Sequence, residues 1–260
     1  MAPYLILFGR GVPTYGLLAL LGAGAAWVYF HRRLRVRGEN PGRAEQAFLW
    51  GALGAVAGGK VLYLLPRLPQ LTADLPLLAQ DPAAFAARYL TGGFVFYGGL
   101  LGALGAVWGF CRRRKAPFGP LARDLVPAIP LFHAFGRVGC FLAGCCYGIP
   151  APAGGWGVAF PHSQGVPLVP VQLYEAAGCL VLFLLLDRLA RRGRRGEELL
   201  AVYLALYGAL RFFLEFLRGD GARGFWGPLS TSQWVAVVTV GVAVGALLWQ
   251  RRRGIHRQQP

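Results

Sequence analysis

Along this chain, apolar residues gather into windows of about twenty, separated by shorter stretches rich in arginine, glycine and proline. Seven windows stand out, at residues 12–30, 47–66, 92–111, 125–146, 168–186, 198–217 and 230–249. At ~1.5 Å of rise per residue, twenty residues cross a hydrocarbon core of ~30 Å, so the pattern predicts seven transmembrane helices. Residues 67–91, which include "LTADLPLLAQDPAAFAARYL", hold too many polar groups to span and predict a short helix at the interface between spans two and three. Residues 147–167 are expected to form an outer loop. The first window starts too far in, and lacks a small-residue cleavage site, for a removable signal peptide. With no internal repeat evident, one all-α membrane domain over residues 1–260 is the simplest partition.

Composition supports this reading. Of 260 residues, 55% are hydrophobic and 15% charged, too little charge to cover a soluble domain of this length. Thirty-eight glycines suit closely packed membrane helices. The net charge of +16 would suit nucleic acid, but its distribution excludes that reading. Nineteen of the twenty-seven lysines and arginines fall in "HRRLRVRGENPGR", "CRRRKAPFGPLAR", "DRLARRGRRG" and "RRRGIHR", which are every second loop and the C-terminus. That alternation is the positive-inside pattern. It places the N-terminus outside and the C-terminus in the cytoplasm, with anionic membrane lipids at the inner surface.

Given that orientation, the polar residues within the spans fall at one depth. Tyr15, Lys60, Tyr97, Arg137, Gln172, Glu175, Arg211, Glu215, Ser230, Ser232 and Gln233 map to the outer half, and only His133 lies deeper. A charge inside a bilayer costs several kcal/mol unless it faces the bundle interior or water, so this set implies an outward-opening polar cavity. Tyr207, Arg211, Glu215 and Arg218 share one helical face by their spacing; His133, Arg137, Cys140 and Gly144 form a second stripe. Gly98 and Gly99 beside Tyr97 admit close approach of another backbone or a lipid headgroup. Two arginines able to grip phosphate oxygens with a bidentate fork point to a phospholipid headgroup. Asp187 with Arg188, and Glu197 with Glu198, bound the inner helix ends and are expected to be solvated caps.

"FYGGLLG" at 96–102, "GRVGCFLAGCCYG" at 136–148, "PVQLYE" at 170–175 and "YGALRFFLEFLRGD" at 207–220 resemble the prolipoprotein diacylglyceryl transferases. "YGLL" at 15–18 and "GGKVLYLL" at 58–65 also fit, so the likeness covers nearly the whole chain. The resemblance implies a multi-pass enzyme of the bacterial cytoplasmic (inner) membrane with its cavity towards the outer side. Its substrates would be phosphatidylglycerol and the signal peptide of a prolipoprotein. The diacylglyceryl group would pass to the lipobox cysteine thiol, releasing glycerol phosphate. Arg137 and Arg211 would hold the phosphate, while Tyr15, Gly98, Gly99, Gly148, Tyr207 and Glu215 would shape the same pocket. Lys60, Cys140 and Gly144 join the substrate-binding set by depth and by stripe. No cofactor is implied.

The chain departs from the family pattern at several places. Tyr97 stands where that pattern has a histidine, Cys140 and Ala143 where it has asparagines, Cys145 where it has a glutamate, and Ile149 where it often has an arginine. Tyrosine, with an ordinary pKa near ~10, is a poor general base unless strongly shifted. Tyr97 or His133 could substitute, the thiol could ionise beside the arginines, or the chain could be a divergent paralogue acting as a membrane thiol oxidoreductase or on another lipid or thiol substrate. For the cysteines, adjacent residues make a poor pair of ligands for one ion and no histidine has ligand-like spacing, so no metal is expected. Packing is the default role for Cys140, Cys145 and Cys146, with a disulfide or a covalent thiol role as the alternatives. His162, in the outer loop, reads as an interfacial anchor or a gate for the peptide.

Overall fold

A computed structural model describes residues 3–7, 9–38, 41–90, 93–161, 163–219 and 224–256; His162 lies outside the described residues. A β-hairpin, β1 (Tyr4–Leu7) and β2 (Arg10–Pro13), precedes α1 (Thr14–Val36) and α2 (Pro41–Leu64). Three short helices follow, α3 (Leu68–Ala73), α4 (Leu75–Gln80) and α5 (Pro82–Tyr89), and then α6 (Phe96–Arg114). The short α7 (Phe118–Leu125) leads into α8 (Ala128–Ala143). Two-residue strands β3 (Val158–Ala159) and β4 (Pro167–Leu168) pair in the loop before α9 (Val171–Arg191) and α10 (Gly196–Glu215). A second small hairpin, β5 (Phe225–Trp226) and β6 (Leu229–Ser230), opens α11 (Thr231–His256).

Each predicted window thus contains a long helix. Among the described residues, three stretches, Ala44–Ala73, Phe118–Ala143 and Thr231–Arg252, are long and apolar enough to cross a membrane by length and composition. The segment expected to be one interfacial helix is instead three. Pro69, Pro76 and Pro82 each sit in the first turn of a new helix, where a missing N–H does no harm but a continuing helix would be broken. The Asp81 side chain caps the third by accepting from the Ala84 N–H at 2.9 Å. Asp74 ties the group together, accepting from the Tyr89 hydroxyl and pairing with Arg88 at 2.9 Å.

The chain divides into two compact units, Leu34–Phe118 and a larger one of Met1–Arg33 with Gly119–Pro260. In the smaller unit, α2 and α6 touch backbone to backbone. A Cβ added at Gly58 would strike the Gly98 carbonyl; one at Gly54, the Gly102 carbonyl; one at Gly98 or Gly102, the carbonyls of α2 in return. Small residues at four-residue spacing allow this approach, and any side chain would force the helices apart. Lys60 is anchored in the same unit. Its ammonium donates to the Tyr89 carbonyl at 2.9 Å and lies over the rings of Phe94 (4.6 Å) and Tyr63 (5.2 Å).

In the larger unit, α8 packs on α9, α9 on α10, and α10 on α11. Its apolar side chains are largely outside: Leu20, Val181, Phe213 and Val242 are all exposed, while Glu175, Asp124, Gln172 and Arg211 are buried. This inversion of the soluble pattern suits an apolar surrounding. At one end, Arg33 donates to the buried Asp124 through Nε (3.2 Å) and Nη2 (3.1 Å). Asp187 is not the solvated cap expected from sequence. It accepts from the Tyr29 hydroxyl at 2.9 Å and from Arg191 at 2.7 Å, and lies 3.9 Å from the Arg33 guanidinium. Packing of Tyr29 edge-on against Phe183 brings α1 and α9 close enough to make it an internal partner.

Candidate functional site

Within the larger unit, α8, α9, α10 and the start of α11 deliver polar side chains to one another. Glu175 of α9 is the hub. Its Oε1 accepts from the Tyr207 hydroxyl of α10 at 2.9 Å and pairs with Arg137 Nη2 of α8 at 3.1 Å. His133, one turn before Arg137, lies 3.8 Å from the same oxygen, and its Nε2 accepts from Arg137 Nε at 3.2 Å. The i, i+4 spacing of His133 and Arg137 puts both on the face of α8 turned to Glu175. The His133 ring meets the Tyr207 ring edge-on at 5.0 Å, and Tyr203 stacks on Tyr207 at 5.7 Å. Glu175 is 1% exposed, so its charge is neutralised by these partners and not by water.

Arg211 follows Tyr207 by one turn of α10. Its Nη2 pairs with Glu215 at 2.5 Å and reaches Ser232 Oγ at 3.5 Å, while its Nη1 is buried with no hydrogen-bond partner among the described residues. Glu215 also accepts from the Ser230 hydroxyl at 2.9 Å. Ser230 and Gln233 close a reciprocal cap on α11: Gln233 Oε1 accepts from the Ser230 N–H at 2.9 Å, and Ser230 Oγ from the Gln233 N–H at 3.2 Å. Both Arg137 and Arg211 act electrostatically on Glu175. The two guanidinium groups therefore share one buried field, each held by its own carboxylate, with an unused donor on Arg211. An anion arriving there meets two forked cations whose positions are already set.

Tyr15, 43% exposed, lies against Gly139 of α8, where an added Cβ would meet its ring at 3.2 Å. Gly144 is the left-handed cap of α8, with φ +73°. Gly148 is a crossing point. Its N–H donates to the Val169 carbonyl at 2.9 Å, the next N–H to the Leu217 carbonyl at 2.9 Å, and an added Cβ would sit 2.6 Å from both carbonyl oxygens. Arg218 is not on the α10 stripe, because the helix stops at Glu215 and Arg218 bridges to Gly148 through its backbone. Tyr97, Gly98 and Gly99 belong to the smaller unit. There Tyr97 has a buried hydroxyl and packs edge-on with Phe96, while the glycines face the backbone of α2. Of the two roles open to the glycines, close backbone approach is the one seen.

The sequence put Glu175 among the polar residues expected to line the cavity but gave it no individual role. The available signal was a carboxylate near the start of a helix whose next eleven residues carry no charge. Cys140, Cys145 and Cys146 are free thiols gathered at the end of α8, next to Arg137.

A sequence profile described as prolipoprotein diacylglyceryl transferase matches residues 3–249. A Clostridium tetani protein named phosphatidylglycerol–prolipoprotein diacylglyceryl transferase is 33% identical over 249 residues, covering 94% of this chain and 96% of the relative. Proteins of the same name from Methylococcus capsulatus (31% identical; 96% of each chain) and Pseudoalteromonas atlantica (34%; 92% of this chain, 85% of the relative) are similar along the same length.

Proposed function

The chain belongs to the prolipoprotein diacylglyceryl transferase family, and from that we propose that it moves the diacylglyceryl group of phosphatidylglycerol onto the lipobox cysteine of prolipoproteins, releasing glycerol phosphate. The observation that carries the reading is a pair of arginines, Arg211 buried and Arg137 largely so, acting on one carboxylate, with Arg211 Nη1 left without a hydrogen-bond partner among the described residues. Displacement at a glyceryl carbon needs a stabilised anionic leaving group, and preorganised cations in a site away from bulk water provide it. Arg137 and Arg211 hold the phosphate. Glu175 and Glu215 keep the guanidiniums aimed before the lipid arrives, and Tyr207 and His133 fix Glu175. Tyr15, Gly148, Cys140 and Gly144 border the same region by their place around α8.

In this reading the seven long helices all cross the bacterial cytoplasmic membrane, with the N-terminus outside and the basic loops inside. The cavity opens towards the outer leaflet, where both the lipid and the signal peptide arrive. Lys60 and Tyr97 are assigned to the substrate from the sequence alone, Tyr97 at the position where the family pattern has a histidine. Complementation of a strain depleted of its own transferase tests the proposal, with lipoprotein mass as readout. Wild-type chain should restore the added diacylglyceryl mass and Arg211→Gln should not. An unmodified lipobox cysteine despite full membrane insertion of the wild-type chain would sink the assignment. Tyr97→His in the same assay reports whether the tyrosine limits the rate.

A further inference from the structure

The turn after α8 gathers three thiols by backbone geometry. Gly144 N–H donates to the Phe141 carbonyl and Cys145 N–H to the Cys140 carbonyl, both at 3.1 Å, a paired closure that requires the left-handed Gly144. Cys146 then adopts φ +63°, a conformation uncommon for any residue with a side chain. Two left-handed residues in three positions fold the chain back over the last turn of the helix. The Sγ atoms of Cys140, Cys145 and Cys146 consequently all lie within 4.8 Å of one another. The turn is held from outside itself. The buried Gln172 donates to the Cys145 carbonyl at 2.6 Å, and Gly148 and Ile149 are bonded to Val169 and Leu217. Cys145 is exposed and the other two half-buried, so the cluster has a way in.

Three sulfurs at ~2.3 Å from one zinc ion lie ~3.8 Å apart, so small side-chain rotations close this cluster onto an ion. Adjacent cysteines are poor joint ligands on a regular backbone; the left-handed Cys146 removes that objection. We infer that Cys140, Cys145 and Cys146 form a three-thiolate site for a divalent zinc-class ion, and that its fourth position takes the thiol of the peptide substrate.

Three protein ligands and one open position are the pattern of a working metal site, not of a closed structural one. A thiol that coordinates such an ion is deprotonated outright, which supplies the nucleophile in a chain with tyrosine where the family pattern has a histidine. The step balances without redox change. The substrate S–H loses its proton to water on coordination, and the sulfur lone pair forms the C–S bond at the glyceryl carbon. The C–O bond to phosphate then breaks, and its electron pair leaves with glycerol phosphate. Arg137 and Arg218 both act electrostatically on Cys146, so the excess negative charge of three thiolates on a divalent ion is offset by fixed cations. The identity of the incoming thiol rests on the transferase reading; the metal site does not.

Full-length chain in lipid nanodiscs, dialysed after exposure to zinc, should retain about one ion per chain by metal mass spectrometry. C140S, C145S and C146S should each release it. With cobalt in place of zinc, the thiolate charge-transfer band should change when a lipobox peptide is added, and not with the same peptide carrying serine for its cysteine. Chelation should slow lipid transfer and zinc restore it. Equal metal content in wild type and the triple serine variant, including none in both, overturns the site. A cobalt spectrum indifferent to the cysteine peptide overturns the open fourth position. Arg211→Gln should abolish transfer yet bind the metal normally, so loss of the transferase reading and loss of the metal site give different results.

Discussion

Arg211 spends one nitrogen on both Glu215 and Ser232 and keeps another, buried, without a partner among the described residues. Leaving a charged donor unmet in a buried site is unfavourable, and a substrate anion that meets it recovers that cost in the complex. Arg211→Gln should lower the transfer rate by about 100-fold or more, the scale of a lost transition-state donor. Arg211→Lys should not restore it, because a point ammonium cannot span two oxygens as the fork does. Single-turnover transfer to a lipobox peptide checks both. Glu175→Gln has a different signature. It strands Arg137 in a buried site, so about 3–5 kcal/mol of stability should go, read as a fall in the thermal midpoint of the protein in detergent.

Among the elements, the α2–α6 contact depends on missing side chains. Gly58→Ala drives a Cβ into the Gly98 carbonyl, and the crowding should cost about 1–3 kcal/mol, visible as reduced folded yield and lower melting temperature. Gly105→Ala, on the same helix α6, puts its Cβ within 4 Å of no other described part of the chain and should be neutral or slightly stabilising, since alanine favours helix by ~0.5–1 kcal/mol. Gly148→Ala should resemble Gly58→Ala, because its Cβ would meet two carbonyl oxygens that already accept hydrogen bonds. These positions were legible as glycines in apolar runs. Which backbone each one faced was not, because helical spacing gives the face of a helix but not its neighbour.

For the whole molecule, the alternation of basic loops predicts a measurable topology. A phosphatase reporter, active only outside, fused after residue 256 should be silent, and one fused in the 151–166 loop should be active. Reporters active at both would remove the outward cavity from the proposal. The long helices were readable along the chain because an apolar window and its basic flank are local properties. Asp124 and Arg33 were not singled out, being a single carboxylate and one of many arginines in basic loops. Their 3.1 Å contact appears only when residues 91 positions apart meet.

The amino-acid order alone determined where the helices run, which ends carry positive charge, and which ionisable groups must be sheltered from lipid. These follow from hydropathy and period, which act within about twenty residues. Tertiary structure decided the pairings. It set Glu175 beneath Arg137 and Tyr207, gave Arg211 its own carboxylate, and matched the glycines of α2 to those of α6. It also turned two neighbouring cysteines back onto a third. Each of these depends on chain reversals and long-range contacts whose geometry no local pattern contains.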